Sequence, residues 1–393
     1  MKHMQISVLA AAFATLVSGA GAAWADDTIK LGLSVPLSGA GAVWGKGGEM
    51  MCQKAAEEIN AAGGVKVAGK TYRFECVAYD NKYTAAEGIK VAQTLLNRDG
   101  VKFVSCAVGT APIEALQSLS DRQGALMMHT SWGTNTKGPK HPTSFTVMNT
   151  PVEIMPAMVS VIKKTYPQAN TIVTLNANDA SGHENESISN PIWAKAGFKI
   201  LTSDFYERGT TEFQPIAARL MSYRPDIVDL ASAPPADAGR IFKELDVLGF
   251  KGVKISDNAT GPDALKATGG ASVEGVYMGA AVTLDGAGVT AHQRKLNDEV
   301  RAAVGEPINI VGAGCYDAVM SLKSAMEKSQ SIEPKDVAAT LPTVKFPSFY
   351  GNETTFGGKV YYGIDQQMLL PVFITRIEGG RLVEAARIDE VKY

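Results

Sequence analysis

Few residues in this chain of 393 are spaced for catalysis. His183-Glu184 opens like a zinc-binding helix, but no second histidine follows at the spacing that puts both on one helical face. No serine stands in a Gly-x-Ser-x-Gly elbow, and no glycine-rich loop ends in Gly-Lys-Ser/Thr. Gly39-x-Gly41 follows an apolar run, as a dinucleotide loop would. Trp44 stands where the last glycine belongs, and its indole would block a phosphate from the backbone amides. His129, His141, His183 and His292 are scattered, so neither a metal set nor a cofactor is expected. What remains suits binding more than turnover. Loops at 36–45, 109–112 and 130–134 collect Ser38, Thr110, Ser131, Gly133 and Thr134. Small hydroxyls and free amides at helix starts suit an anion such as a carboxylate. The same residue types also make ordinary loops and caps.

The elements that would carry these loops alternate. Strands are predicted at 29–36, 72–79, 101–107 and 125–129, with helices at 49–60, 85–97 and 112–123 between them. A second run places helices at 152–165, 184–196, 212–222 and 236–248, with strands at 171–175, 199–206, 226–231 and 253–257. Such alternation implies an α/β chain with two parallel sheets, each covered by helices on both faces. The first boundary falls near 145–151. The stretch 276–281 is expected to return the chain to the first half, where 292–304 and 312–328 are helical. A strand pair at 368–374 and 382–388 ends the pattern.

Lys2 and His3, an apolar run over 6–17 and Ala23-Trp24-Ala25 read as a leader cut after Ala25, so an exported protein is expected. Net charge is −2, so nothing points to a polyanion-binding surface, and no nucleic acid partner is expected. The four cysteines contain no Cys-x-x-Cys pair. In an exported chain an even count suggests disulfides. Cys52 on a helix and Cys76 on the next strand make the preferred bridge, the alternative being two buried thiols. The pairing of Cys106 and Cys315 stays open.

A longer pattern runs through the chain: Ile29-Lys30-Leu31-Gly32, Pro36-Leu37-Ser38-Gly39, Ile59-Asn60-Ala61-Ala62-Gly63-Gly64-Val65, Tyr79-Asp80, Thr355-Phe356-Gly357 and Pro371-Val372-Phe373-Ile374. It resembles the periplasmic solute-binding proteins of branched-chain amino acid type ABC importers. The resemblance implies two doubly wound, Rossmann-like lobes joined by a three-strand hinge that close on a ligand like a flytrap. Lobe 1 would take 26–147 and 277–358, lobe 2 would take 148–276 and 359–393, and the third crossing would lie near 358–362. It further implies a monomer that catalyses nothing. Such a protein captures a small carboxylate-bearing ligand, an amino acid or an aromatic or other organic acid, and delivers it to a membrane permease from the periplasm. A ligand-sensing receptor or regulator on the same fold is the alternative.

The same resemblance carries ligand positions. Trp44 would pack on the ligand, and Thr110, Ser131 and Gly133 would hold its carboxylate, with Thr134 supplying a hydroxyl that Gly133 lacks. In lobe 2, Ser181 and Ala233 stand where the family has aromatic residues. Asn258, or Asp257 beside it, falls where an acidic residue would pair with an α-ammonium. A buried ammonium without a carboxylate is costly, so Asn258 in that place would disfavour an amino acid.

Overall fold

The computed structural model describes residues 27–39, 41–257, 260–284 and 288–391. The expected leader at 1–25 and Asn258 lie outside the described residues. The chain opens with β1 (Asp27–Val35), α1 (Ala42–Ala61), β2 (Val65–Val67), β3 (Lys70–Asp80), α2 (Ala85–Ala92), β4 (Phe103–Val108), α3 (Thr110–Gln123), β5 (Leu126–Thr130) and β6 (Ser144–Thr146). It continues through α4 (Pro151–Thr165), β7 (Thr171–Ala177), α5 (Ala180–Lys195), β8 (Lys199–Tyr206), α6 (Gln214–Ser222), β9 (Ile227–Asp229), α7 (Pro235–Val247), β10 (Val253–Ser256), α8 (Pro262–Gly269) and β11 (Tyr277–Met278). Next come α9 (Ala291–Val304), α10 (Ile310–Ser329), α11 (Pro334–Thr340), β12 (Phe346–Pro347), β13 (Glu353–Thr354), β14 (Phe356–Gly357), α12 (Lys359–Tyr362), β15 (Gln367–Met368), β16 (Val372–Glu378) and β17 (Arg381–Ile388).

Two sheets result. The first has the order β14-β15-β6-β5-β4-β1-β3-β2 and the second β17-β16-β11-β10-β9-β7-β8. Strands β6, β5, β4, β1 and β3 run parallel, as do β11, β10, β9, β7 and β8. Both are therefore doubly wound α/β lobes. In each, strand order reverses direction at one place, between β1 and β4 in the first lobe and between β7 and β9 in the second. Loops leaving such a switch point diverge and leave a crevice at the carboxyl ends of the strands.

The chain crosses between lobes after β6, after β11 and after β15. The second and third crossings differ from expectation. Tyr277 and Met278 still pair with β10 and β16 in the second sheet. Gln367 pairs with Thr146 in the first sheet, so the last crossing lies beyond Met368 rather than near 358–362. There, Gly358 and Gly363 flank a single helical turn, α12. The crossings are tied side by side: the Asn149 amide donates to the Pro371 carbonyl at 2.8 Å, and Gln367 donates to the Met148 carbonyl at 2.8 Å.

Helix α1 begins at Ala42, seven residues before the predicted start, because the glycine-containing stretch up to Gly45 read as a loop. Gly45 and Gly48 serve close packing instead. A side chain on Gly45 would meet the Pro36 carbonyl oxygen, and one on Gly48 would lie 3.1 Å from both Cys106 and Cys315 sulfurs. Those sulfurs form a disulfide between β4 and α10, and Cys52 on α1 is bridged to Cys76 on β3. α1 is thus braced at two levels and holds Trp44 rigidly in its first turn.

The Cys106–Cys315 bridge spans 209 residues and Cys52–Cys76 only 24. A longer closed loop removes more freedom from the unfolded chain, so replacing Cys106 and Cys315 by alanine is expected to lower stability by about 2–4 kcal/mol. Replacing Cys52 and Cys76 should cost less. Urea unfolding of both pairs measures this, and an unshifted midpoint for the Cys106/Cys315 variant contradicts it.

Candidate functional site

The carboxyl ends of β4 and β5 lie side by side. After β4, Gly109 turns the chain into α3, whose first residue, Thr110, is buried. After β5, Ser131, Trp132 and Gly133 curl around it. The Thr110 hydroxyl accepts from the Trp132 amide at 3.3 Å and lies 3.4 Å from the Ser131 hydroxyl. The Ser131 hydroxyl accepts from the Gly133 amide at 3.3 Å. The Ser131 amide donates to Nδ1 of His129, whose pKa burial pushes down to about 3, so the ring is neutral and fixed as an acceptor there. Three of the predicted residues, Thr110, Ser131 and Gly133, therefore form one hydroxyl and amide cluster at a helix head. Thr134 is placed differently. Its amide donates to Glu184 of the second lobe at 3.2 Å. Glu184 also explains the glycine at 133: a side chain there would come within 2.6 Å of it.

Trp44 is buried in the first turn of α1, and its indole N–H donates to the hydroxyl of Thr260 in the second lobe. Its ring lies 5.5 Å from that of Tyr83, centroid to centroid. Tyr83 gave no signal in the sequence. Lys82 and Tyr83 both have left-handed backbones, φ +48° and +59°, which is costly for side chains of this size. Carboxamide and carboxylate oxygens hold the turn: Asn81 accepts from the Tyr83 amide and Asp80 from the Lys82 amide, both at 2.9 Å.

In the second lobe, Asp179 caps α5 by accepting from the Gly182 amide at 3.0 Å. That cap starts the helix at Ala180, four residues before the predicted start. Ser181 is consequently a buried first-turn residue, donating to Asp179 at 2.6 Å and accepting from Arg208 Nη2 at 3.1 Å. Arg208 Nε pairs with Asp179, and the guanidinium carbon sits 4.4 Å from the Tyr83 ring centroid. Burial works to raise the Asp179 carboxyl, but Arg208, Ser181 and Gly182 hold it below the ordinary range. Ala233 is fully buried among the apolar residues of the second lobe. Asp257 is fully buried at the end of β10.

The lobes touch at every level. Besides the Trp44–Thr260 and Tyr83–Arg208 contacts, the Trp132 indole donates to Asn185 at 2.8 Å. Farther out, Glu306 of the first lobe accepts from the amides of Asp263, at 3.2 Å, and Ala264 in the first turn of α8. Arg301 donates to the Asp263 carboxylate at 3.1 Å.

Burial at this junction pushes the Glu306 carboxyl up to about 7, against the pull of the α8 amides. A carboxyl raised on folding takes up its proton first in the folded state. Its contribution to stability is complete below the ordinary value of 4.5 and is lost as pH rises through 7. Stability of the wild type relative to Glu306→Gln should therefore increase as pH falls from 8 to 5. Paired urea melts across that range test this, and a difference independent of pH refutes it.

Among the described residues, no group of three or more His, Cys, Asp or Glu could hold a metal ion, and no helix is long and apolar enough to cross a membrane. The fold has well-matched counterparts. A leucine-binding protein from Thermotoga maritima superposes with a TM-score of 0.77 at 18% identity, over 92% of this chain and 99% of that one. A solute-binding protein of an ABC transporter from R. palustris, in complex with benzoate, gives 0.75 at 16% identity, over 93% and 97%. Another from Rhodopseudomonas palustris BisB5, in complex with 3,4-dihydroxybenzoic acid, gives 0.74 at 20%, over 93% and 99%. At such identities the likeness establishes the fold. The sequence itself matches the family model described as periplasmic binding protein over residues 28–381. With that match spanning nearly the whole chain, the protein belongs to the periplasmic binding protein family.

Proposed function

We propose that this chain is the exported solute-binding component of an ABC importer. It captures a small carboxylate-bearing ligand between its lobes, in the periplasm, and delivers it to a membrane permease without chemical change. The observation that carries this reading is the Thr110–Ser131–Gly133 cluster at the head of α3, opposite a second lobe that closes over it. A helix N-terminus and two hydroxyls favour an anion, and hydrogen bonds to a charged group are about twice as strong as neutral ones. Trp44 and Tyr83 line the same crevice with aromatic surface. The structural relatives named above bind leucine or benzoates, so both an amino acid and an aromatic acid fit the fold.

Acid and ester forms of one compound decide the carboxylate. Benzoate, hexanoate and leucine, titrated beside their methyl esters by calorimetry, should show that any acid that binds outcompetes its ester by tenfold or more. Thr110→Val should weaken that acid by roughly tenfold or more, the cost of one hydrogen bond to a charged group being about 1.5–3 kcal/mol. An ester that binds as well as its acid removes the carboxylate from the reading.

Phenylalanine and 3-phenylpropanoate differ only by the amino group. The resemblance puts Asn258 where an acid would pair with the ammonium, so 3-phenylpropanoate should bind at least as tightly. A tenfold preference for phenylalanine, about 1.4 kcal/mol, would instead assign the ammonium to Asp257.

A further inference from the structure

Arg208 carries more hydrogen-bonding capacity than its own lobe uses. A guanidinium has five N–H donors in a planar fork. One, on Nε, goes to Asp179, and one on Nη2 goes to Ser181. Nη1 makes none of the described hydrogen bonds, and 23% of the side chain stays exposed. The group is nevertheless held firmly. Asp179 is itself fixed as the cap of α5, and the guanidinium carbon lies over the Tyr83 ring, 4.4 Å from its centroid, across the gap between lobes. A planar ion pinned at one edge and one face presents its remaining edge in a fixed direction, which is the arrangement for bidentate capture of an oxygen acceptor.

Tyr83 supplies the second, independent observation. Its left-handed backbone, shared with Lys82, is built by Asp80 and Asn81 and serves no turn that glycine could not make better. Strain of this kind clusters where a side chain has to be aimed. The ring it aims lies between three things: the indole of Trp44, the guanidinium of Arg208, and Gly109 immediately before Thr110, where a side chain would come within 3.1 Å of it. One aromatic ring therefore connects the head of α3 to the Arg208 guanidinium.

We propose that Arg208 is the second lobe's contact for the ligand, and that the crevice selects an acid with a second acceptor oxygen, carboxylate or phenolic, at the end away from the first. The first carboxylate sits at Thr110 and Ser131, the body lies along Trp44 and Tyr83, and closure brings Arg208 onto the far oxygen. This rests on the carboxylate reading above and adds the class of acid. It also gives closure its driving force: a ligand shifts the lobes only by what it gains from the closed state, and Arg208 reaches it only there.

Calorimetric titration of the full-length mature protein with benzoate, 4-hydroxybenzoate, terephthalate, hexanoate and adipate tests this. At least one acid with a second oxygen should bind tenfold or more tightly than its partner lacking it. In Arg208→Gln that preference should fall below threefold, with Arg208→Lys in between because it keeps charge without the fork. If the simple acids bind as well as the substituted ones, this proposal fails while the carboxylate reading stands. That comparison needs only the wild type, so it holds even where a variant does not fold. If the preference survives in Arg208→Gln, with all affinities lowered alike, Arg208 is a clamp between lobes and the proposal again fails. Failure of every acid to bind overturns both readings.

Discussion

Helix α1 approaches its neighbours so closely that Gly45, against the Pro36 carbonyl, excludes a side chain, and Gly48 lies tight against the Cys106–Cys315 sulfurs. Every part of the crevice leans on that approach. It sets the height of Trp44, against which the Tyr83 ring rests. It also fixes how α1 packs on α10, the long apolar helix that completes the first lobe. A methyl group at Gly45 would lift the helix bodily, because the obstacle is backbone and cannot rotate away. Placing an aromatic anchor on a helix, rather than on a loop, gives it the rigidity that a binding face needs.

The contacts between lobes differ in kind with depth. Near Thr110 aromatic rings dominate, with an indole to Thr260, an indole to Asn185 and a guanidinium over a phenol ring, beside the Glu184 carboxylate on the Thr134 amide. Farther out, the buried Glu306 carboxyl takes the α8 amides, and at the rim Arg301 pairs with Asp263. Exposed ion pairs contribute little and are screened by salt. Such an edge can guide the lobes together without holding them shut, which leaves the balance between open and closed to what occupies the middle.

The alternation of strand and helix was legible throughout, because each buried parallel strand is a short apolar run and each helix shows its period. Where the reading slipped, a tertiary demand had overridden a local one. The glycines of α1 looked like a loop because propensity cannot see a carbonyl waiting beneath. The start of α5 was misplaced because the weight given to apolar spacing hid the capping signal of Asp179 ahead of Ser181 and Gly182. The crossings after β11 and β15 were displaced because two-residue strands carry almost no pattern. Within the crevice, Thr110 and Ser131 were visible as hydroxyls at helix and strand ends. Tyr83 and Arg208 were not, since one depends on a left-handed backbone and the other on a loop folding back over the opposite lobe.

The Cys106–Cys315 bridge has a consequence for the order of assembly. All of the parallel strands of the second lobe lie between its two cysteines. The first lobe cannot be sealed until those five strands have emerged and left the way clear for α10 to dock. Contacts so distant in sequence form slowly. During that interval Cys106 waits as a thiol beneath an unfinished helix layer, and the second lobe, whose strands β7 to β11 are nearly continuous in the chain, is free to fold first. Oxidation of this pair therefore acts as a timestamp: it records that the late C-terminal helices have returned to the sheet begun at the N-terminus.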